Sequence, residues 1–245
     1  MDPRREEPLT MNDFLDAFRF IGDDVGLLWS LTLDHLALSG AAVGIALVLA
    51  IPLGVTLGHL HRGSFAAINV SNVGRALPSL ALISIGVAVL GIGFVNVMVA
   101  LVVLAFPLML TNAYVAVDGV DADAVEAARG MGMKPREVLW KVELPLALPL
   151  IFAGIRTAVV YVIATATLAA VAGAHSLGDI IVDQATYRLP GVLGAAICVA
   201  VLALLAELLF AGLQRAVTPR ALRSEERSAP LSVLGDLDSE RTAST

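Results

Sequence analysis

Long uncharged apolar runs alternate with short polar segments along this chain, and the run lengths predict membrane-spanning helices. Residues 36–58 hold 23 uncharged positions, about 34 Å of helix at about 1.5 Å per residue, enough to cross a hydrocarbon core of about 30 Å. Pro52 and Gly54 fall inside this run. Such breakers are tolerated where neighbouring helices or waters satisfy the freed carbonyls. The next uncharged stretch, 76–117, is too long for one helix, and Gly86, Gly91 and Gly93 mark where it can break. It is expected to give spans over about 76–92 and 95–117. A fourth span is expected over 151–173, with Arg156 near its start, and a fifth over 192–213, containing Glu207.

The polar segments have patterns of their own. In residues 12–35, Phe14, Phe18 and Ile21 recur at helical spacing, as do Val25, Leu28 and Trp29, with Gly22 and Gly26 as interruptions. Residues 1–35 are expected to be an extracytoplasmic segment of one or two short amphipathic helices, lying on the membrane face or packing as a cap on the bundle. The segment from 218 to 245 is rich in Ser, Arg, Glu and Pro without periodicity, and is expected to be a disordered cytoplasmic tail whose arginines face anionic lipid.

Residues 118–150 carry the most information. Asp121 can cap a helix over 122–129, and Asp123 and Glu126 suit its first turns. Gly130 and Gly132 end that helix, one of them with positive φ. Pro135 fits the first position of a second helix, whose apolar side is Val138, Leu139, Val142 and Leu144. Pro145 and Pro149 are expected to close the element and lead into the fourth span. The result is a compact helix–turn–helix, either an ordered loop or a docking surface. Ala127 and Ala128 near its turn permit close approach by another protein.

Composition narrows the class. Apolar residues make up 58% of the chain and charged ones 16%, against about 45–50% and about 25% in soluble globular domains. With a net charge of −6 and no basic face, a nucleic-acid partner is not expected. The single Cys198 allows no intrachain disulfide, and residues 1–10 do not read as a signal peptide. Five spans put the termini on opposite sides. With the N-terminus outside, 12 of the 16 basic residues fall on or beside the inner segments, so N-out and C-in is expected.

The sequence Glu126-Ala127-Ala128, then Gly132, then Leu144-Pro145 resembles the cytoplasmic loop motif of permeases from binding-protein-dependent ABC importers. The resemblance runs from about residue 36 to 217 and is similar in detail to permeases for glycine betaine, choline and carnitine. Asn72–Ala81, Gly91-Ile92-Gly93, Ala174–Gly178 and Thr218-Pro219-Arg220 carry that finer likeness. It implies an all-α polytopic fold with a five-span core and a non-catalytic subunit without a cofactor. It also implies cytosolic ATP-binding subunits, a separate extracytoplasmic solute-binding protein and a second permease copy or paralogue, all in a bacterial inner membrane. No glycine-rich phosphate loop is present, so ATP hydrolysis belongs to the partner.

Under that resemblance, Glu126, Ala127, Ala128, Gly130, Gly132, Lys134, Leu144 and Pro145 form the ATPase-coupling loop, with Ala127 and Ala128 in the ATPase groove. Tyr114 and Tyr161 are candidates for the solute path. His175, Asp179 and Asp183 are candidates for its outer mouth, or else plain loop residues. Glu207, an ionisable group in a span, reads as functional or as snorkelling or paired near the interface. The alternatives are a permease for another solute such as an amino acid or sulfonate, a secondary transporter, and a membrane assembly protein.

Overall fold

A backbone in hydrocarbon must satisfy its own N–H and C=O groups, so the apolar runs fold as helices. The computed structural model describes residues 10–63 and 76–218, with Phe65, Asn69, Asn72 and Gly74 between them. The tail from Pro219 onward, residues 1–9, and Val73 and Arg75 of the stretch resembling betaine permeases lie outside the described residues. The helices are α1 (Met11–Asp23), α2 (Val25–His59), α3 (Ser79–Leu90), α4 (Phe94–Asp118), α5 (Ala122–Gly130), α6 (Pro135–Val138), α7 (Leu144–Thr165), α8 (Gly178–Val182) and α9 (Gln184–Val217). A π-helical turn, Leu139–Glu143, joins α6 to α7, and a 3₁₀ helix, Ala166–Ala172, extends α7. No strand occurs among the described residues.

Four of these helical stretches are long and apolar enough to cross a membrane: α2, α4, the continuous run Pro135–Ala172, and α9. The span expected over 76–92 is instead α3, with 12 residues. That is about 18 Å of helix, too short to cross alone. Pro78 is extended and begins it, and the residue before a proline, Leu77, avoids the helical region; Gly91, at φ 82°, ends it.

The other boundaries also shift. Half of the expected amphipathic segment, from Val25 on, belongs to α2, which runs unbroken for 35 residues. Pro145 and Pro149 do not close the hairpin. Pro145 takes the second position of α7, where a missing N–H costs little, and Pro149 lies inside the helix. Their helix begins at Leu144 rather than 151. Within α9, Arg188 has φ 55° and breaks the helix just before Leu189-Pro190.

The core is a seam of small residues. Leu38, Ala42, Ala46, Ala50, Gly54 and Gly58 recur every four positions on α2 and are all buried. They face α4, the most extensive helix pairing in the fold. A Cβ on Gly54 would stand 2.7 Å from both Ala113 Cβ and the Leu110 carbonyl; one on Gly58 would stand 2.8 Å from the Tyr114 carbonyl. Small residues at this spacing let two backbones touch, which is how helices gain packing where apolar lipid offers no hydrophobic drive. Asn112 fills the space a side chain would need at Gly154, so α7 closes on α4 in the same way.

α1 is amphipathic and lies on the start of α9. Thr10 donates from its N–H (2.7 Å) and its hydroxyl (2.8 Å) to the Asp13 carboxylate, fixing the helix start. Phe20 stacks edge-on against Tyr187 at 6.2 Å and fills the space beside Gly191. Ala17 is buried against α9, while Phe14, Leu15 and Phe18 stay exposed.

Candidate coupling hairpin and membrane-depth charges

The hairpin is built by its caps. Asp121 accepts from the Asp123 N–H at 3.0 Å and starts α5. At the other end the Met133 N–H donates to the Ala128 carbonyl at 3.2 Å while Gly132 sits at φ 84°. Of the two glycines offered for the positive-φ position, Gly132 takes it. The Lys134 N–H donates to Glu137 at 3.0 Å, and Pro135 occupies the first position of α6. Val125, Ala128 and Val138 pack as the hairpin's own core.

This packing divides the expected docking residues. Glu126, Ala127, Gly130, Gly132 and Lys134 are exposed, whereas Ala128 is buried inside the hairpin. Ala128 therefore holds α5 to α6 and is not available to a partner groove, which corrects its expected place. Met131, 72% exposed at the turn, is the apolar residue the surface presents instead. Leu144 and Pro145 are half-buried, and Leu144 lines an apolar cleft with Trp140, Ile51, Pro52 and Val55.

Where the hairpin meets the bundle, two histidine–acid pairs appear that the residue pattern alone did not single out. His59, the last residue of α2, places Nδ1 2.5 Å from the Glu143 carboxylate. Glu143 lies in the π turn and is buried, and its second oxygen has no partner among the described residues. His61, at φ 48°, places Nδ1 2.7 Å from Asp118 at the end of α4. Both pairs tie the end of α2 to the elements on either side of the hairpin. The signal in the sequence was an acid, Glu143, between Val142 and Leu144 in an apolar run. π turns are rare and cluster at functional sites.

Of the path candidates, Tyr114 is buried where α4 meets Gly54 and Gly58, because the small seam of α2 draws α4 onto it. Tyr161 is exposed on α7. Glu207 is paired: its carboxylate lies 3.4 Å from Arg156 Nε on α7. At the end of the bundle opposite the hairpin, Asp183 accepts from the Thr186 N–H at 3.1 Å and starts α9, a structural role. His175 Nδ1 contacts Asp179 at 2.9 Å.

The hydrogen bond to Asp179, and then that carboxylate's charge, raise the His175 pKa above the ordinary imidazole value. The contact is therefore complete at acidic pH and is lost as pH rises through this raised pKa. Asp179→Asn is expected to lower the His175 midpoint in an NMR titration. An unchanged midpoint counts against the pairing.

Among the described residues no cluster of His, Cys, Asp and Glu suits a metal ion. A helical bundle with four helices able to cross a membrane, carrying a capped hairpin with the Glu-Ala-Ala and Gly spacing on one end, defines a polytopic transport subunit. Residues 35–223 match the family described as binding-protein-dependent transport system inner membrane component. The chain belongs to that family: it is a multi-pass inner-membrane permease subunit of an ABC importer, and it is non-catalytic.

The chain is 37% identical to the glycine betaine/carnitine/choline transport system permease protein OpuCB of Bacillus subtilis, over 83% of this chain and 94% of that one. It is 32% identical to the osmoprotectant import permease protein OsmW of Salmonella typhimurium, over 85% of this chain and all of that one. Its fold resembles a chain of the inward-facing MetNI methionine ABC transporter, with a TM-score of 0.69 at 23% identity, covering 80% of this chain and 98% of that one.

Proposed function

We propose that this permease forms the transmembrane path for an osmoprotectant such as glycine betaine, choline or carnitine. The supporting observation is full-length likeness to permeases named for those solutes, extending over 94% or more of their chains. Cytosolic ATPase subunits dock on the hairpin, a separate extracytoplasmic protein delivers solute, and a second permease copy or paralogue completes the path. The mechanism is alternating access driven by the partner's ATP cycle. The N-terminus and α1 lie outside. The hairpin at 118–150 and the C-terminus lie inside, in keeping with the basic residues on those segments.

The core has five crossings in this reading. Phe65, Asn69, Asn72, Gly74 and Ala76 are helical, and Gly74 sits against the ring of Pro107 halfway along α4. At the other end of α4, Asn96 donates to the Ile83 carbonyl of α3 at 3.3 Å. In this reading the helical residues before Leu77-Pro78 and α3 together form one crossing, interrupted there.

Reconstitution with the cognate ATPase and binding protein tests the function. ATP-dependent uptake of radiolabelled glycine betaine is expected, competed by choline or carnitine and not by proline. An assembled complex whose ATPase answers only to an unrelated solute would overturn the choice of solute and leave the family assignment intact.

A further inference from the structure

Among the described residues, Arg156 and Glu207 are the charges farthest from the ends of the membrane-length helices. Arg156 lies about 18 Å along α7 from Leu144, and Glu207 about 15 Å along α9 from Val217. Every other Asp, Glu, Lys or Arg on the spanning helices lies closer to a helix end than either of them. The pair is a single contact of 3.4 Å, and neither head group has a further partner among the described residues. A guanidinium has five donors and a carboxylate two acceptor oxygens, so most of this capacity is open. Both side chains are partly exposed, 31% for Arg156 and 41% for Glu207.

A pair built only to neutralise itself would be closed over and bidentate. This one is open, and hydrocarbon cannot satisfy what it leaves unmet. Beside it α7 exposes Thr157, whose hydroxyl donates to the Ala153 carbonyl, and, one turn further, Tyr161. What fits is a ligand with both charges, one to accept from the guanidinium and one to face the carboxylate. We propose that Arg156 and Glu207 form a transit site for a zwitterionic solute. Arg156 takes the solute carboxylate and Glu207 faces its quaternary ammonium. This rests on the osmoprotectant reading above, and adds to it the residues that recognise the solute within the membrane.

The chemistry makes choline a control, since it carries the ammonium and no carboxylate. Uptake of glycine betaine and of choline is measured with the full complex in liposomes, for wild type, Arg156→Gln, Glu207→Gln and the exchanged pair Arg156→Glu with Glu207→Arg. Binding-protein-stimulated ATPase activity reports assembly. Arg156→Gln is expected to lower betaine uptake at least tenfold with choline uptake within about twofold of wild type. Glu207→Gln is expected to lower both, and the exchanged pair is expected to restore neither.

Equal loss of both solutes in Arg156→Gln, retained betaine uptake, or recovery in the exchanged pair would overturn the proposal, because a strut between α7 and α9 predicts those results. Should a single variant fail to assemble, Arg156→Lys, which keeps the charge, is expected to hold the wild-type ratio of betaine to choline; a shifted ratio there counts against the site. A wild-type complex that moves neither solute removes the osmoprotectant reading and this inference together. Wild-type uptake with an unchanged ratio in Arg156→Gln removes the inference alone.

Discussion

Gly132→Asp is expected to leave the permease inserted in the membrane and to strip it of its ATPase. Gly132 holds φ 84° at the end of α5, where an L side chain costs about 1–2 kcal/mol. No atom lies within 4 Å of the position its Cβ would take, so the cost is backbone strain and not a clash. That strain falls on the turn that sets α5 against α6, and a new negative charge appears on the face that carries Glu126, Ala127 and Gly130. Copurification of the ATPase is expected to fall at least tenfold while permease yield in the membrane stays within about twofold. Gly132→Ala carries the strain without the charge and should give a smaller loss. Gly130→Ala meets open space and has no positive φ, and should give almost none. Full copurification with Gly132→Asp would remove the hairpin from the docking role.

A large loss of stability is expected at Gly54, within the seam between α2 and α4. Exposed or lightly packed helical glycines usually gain about 0.5–1 kcal/mol on replacement by alanine. Gly44, on the same helix with no atom within 4 Å of an added Cβ, should follow that rule. Gly54 should reverse it, because its added Cβ meets Ala113 Cβ and the Leu110 carbonyl at 2.7 Å, and backbone does not yield as a side-chain tip does. Overpacking costs about 1–3 kcal/mol, and Gly54→Leu, which must push α2 off α4, belongs at the upper end or beyond. Thermal unfolding in detergent is the measurement. A fall for Gly54→Ala beside a rise for Gly44→Ala supports the seam, and two changes of the same sign count against it.

Run length and breakers located four membrane-length helices and the hairpin. Composition reports burial in hydrocarbon directly, and caps such as Asp121 and Pro135 act within a few residues. The helix ends were less legible. An apolar run marks what lies in lipid, whereas α2 and α9 extend well past it at one or both ends. The short α3 was misread as a full span because hydropathy is blind to the break at Pro78. The four-residue seam on α2 was present in the letters, but alanines and glycines carry little hydropathy signal, so its role appears only against α4.

The site followed the same division. The positive φ of Gly132 followed from local turn chemistry. The burial of Ala128 depended on where α6 folds back, and the partners of Glu207 and Glu143 lie 51 and 84 positions away along the chain. Pairings at that range are set by the packing of helices and leave no local trace.

From Pro135 to Ala172 the chain never leaves a helical conformation, passing through α, π, α and 3₁₀ geometry without a joint. Such a stretch, about 55 Å long at about 1.5 Å per residue, acts as a lever. No loop interrupts it, and a tilt of about 5° about Glu143 would displace Ala172, about 43 Å away, by about 4 Å. With a pivot near the His59–Glu143 contact, a small rotation of the hairpin would arrive enlarged at the opposite end of the bundle.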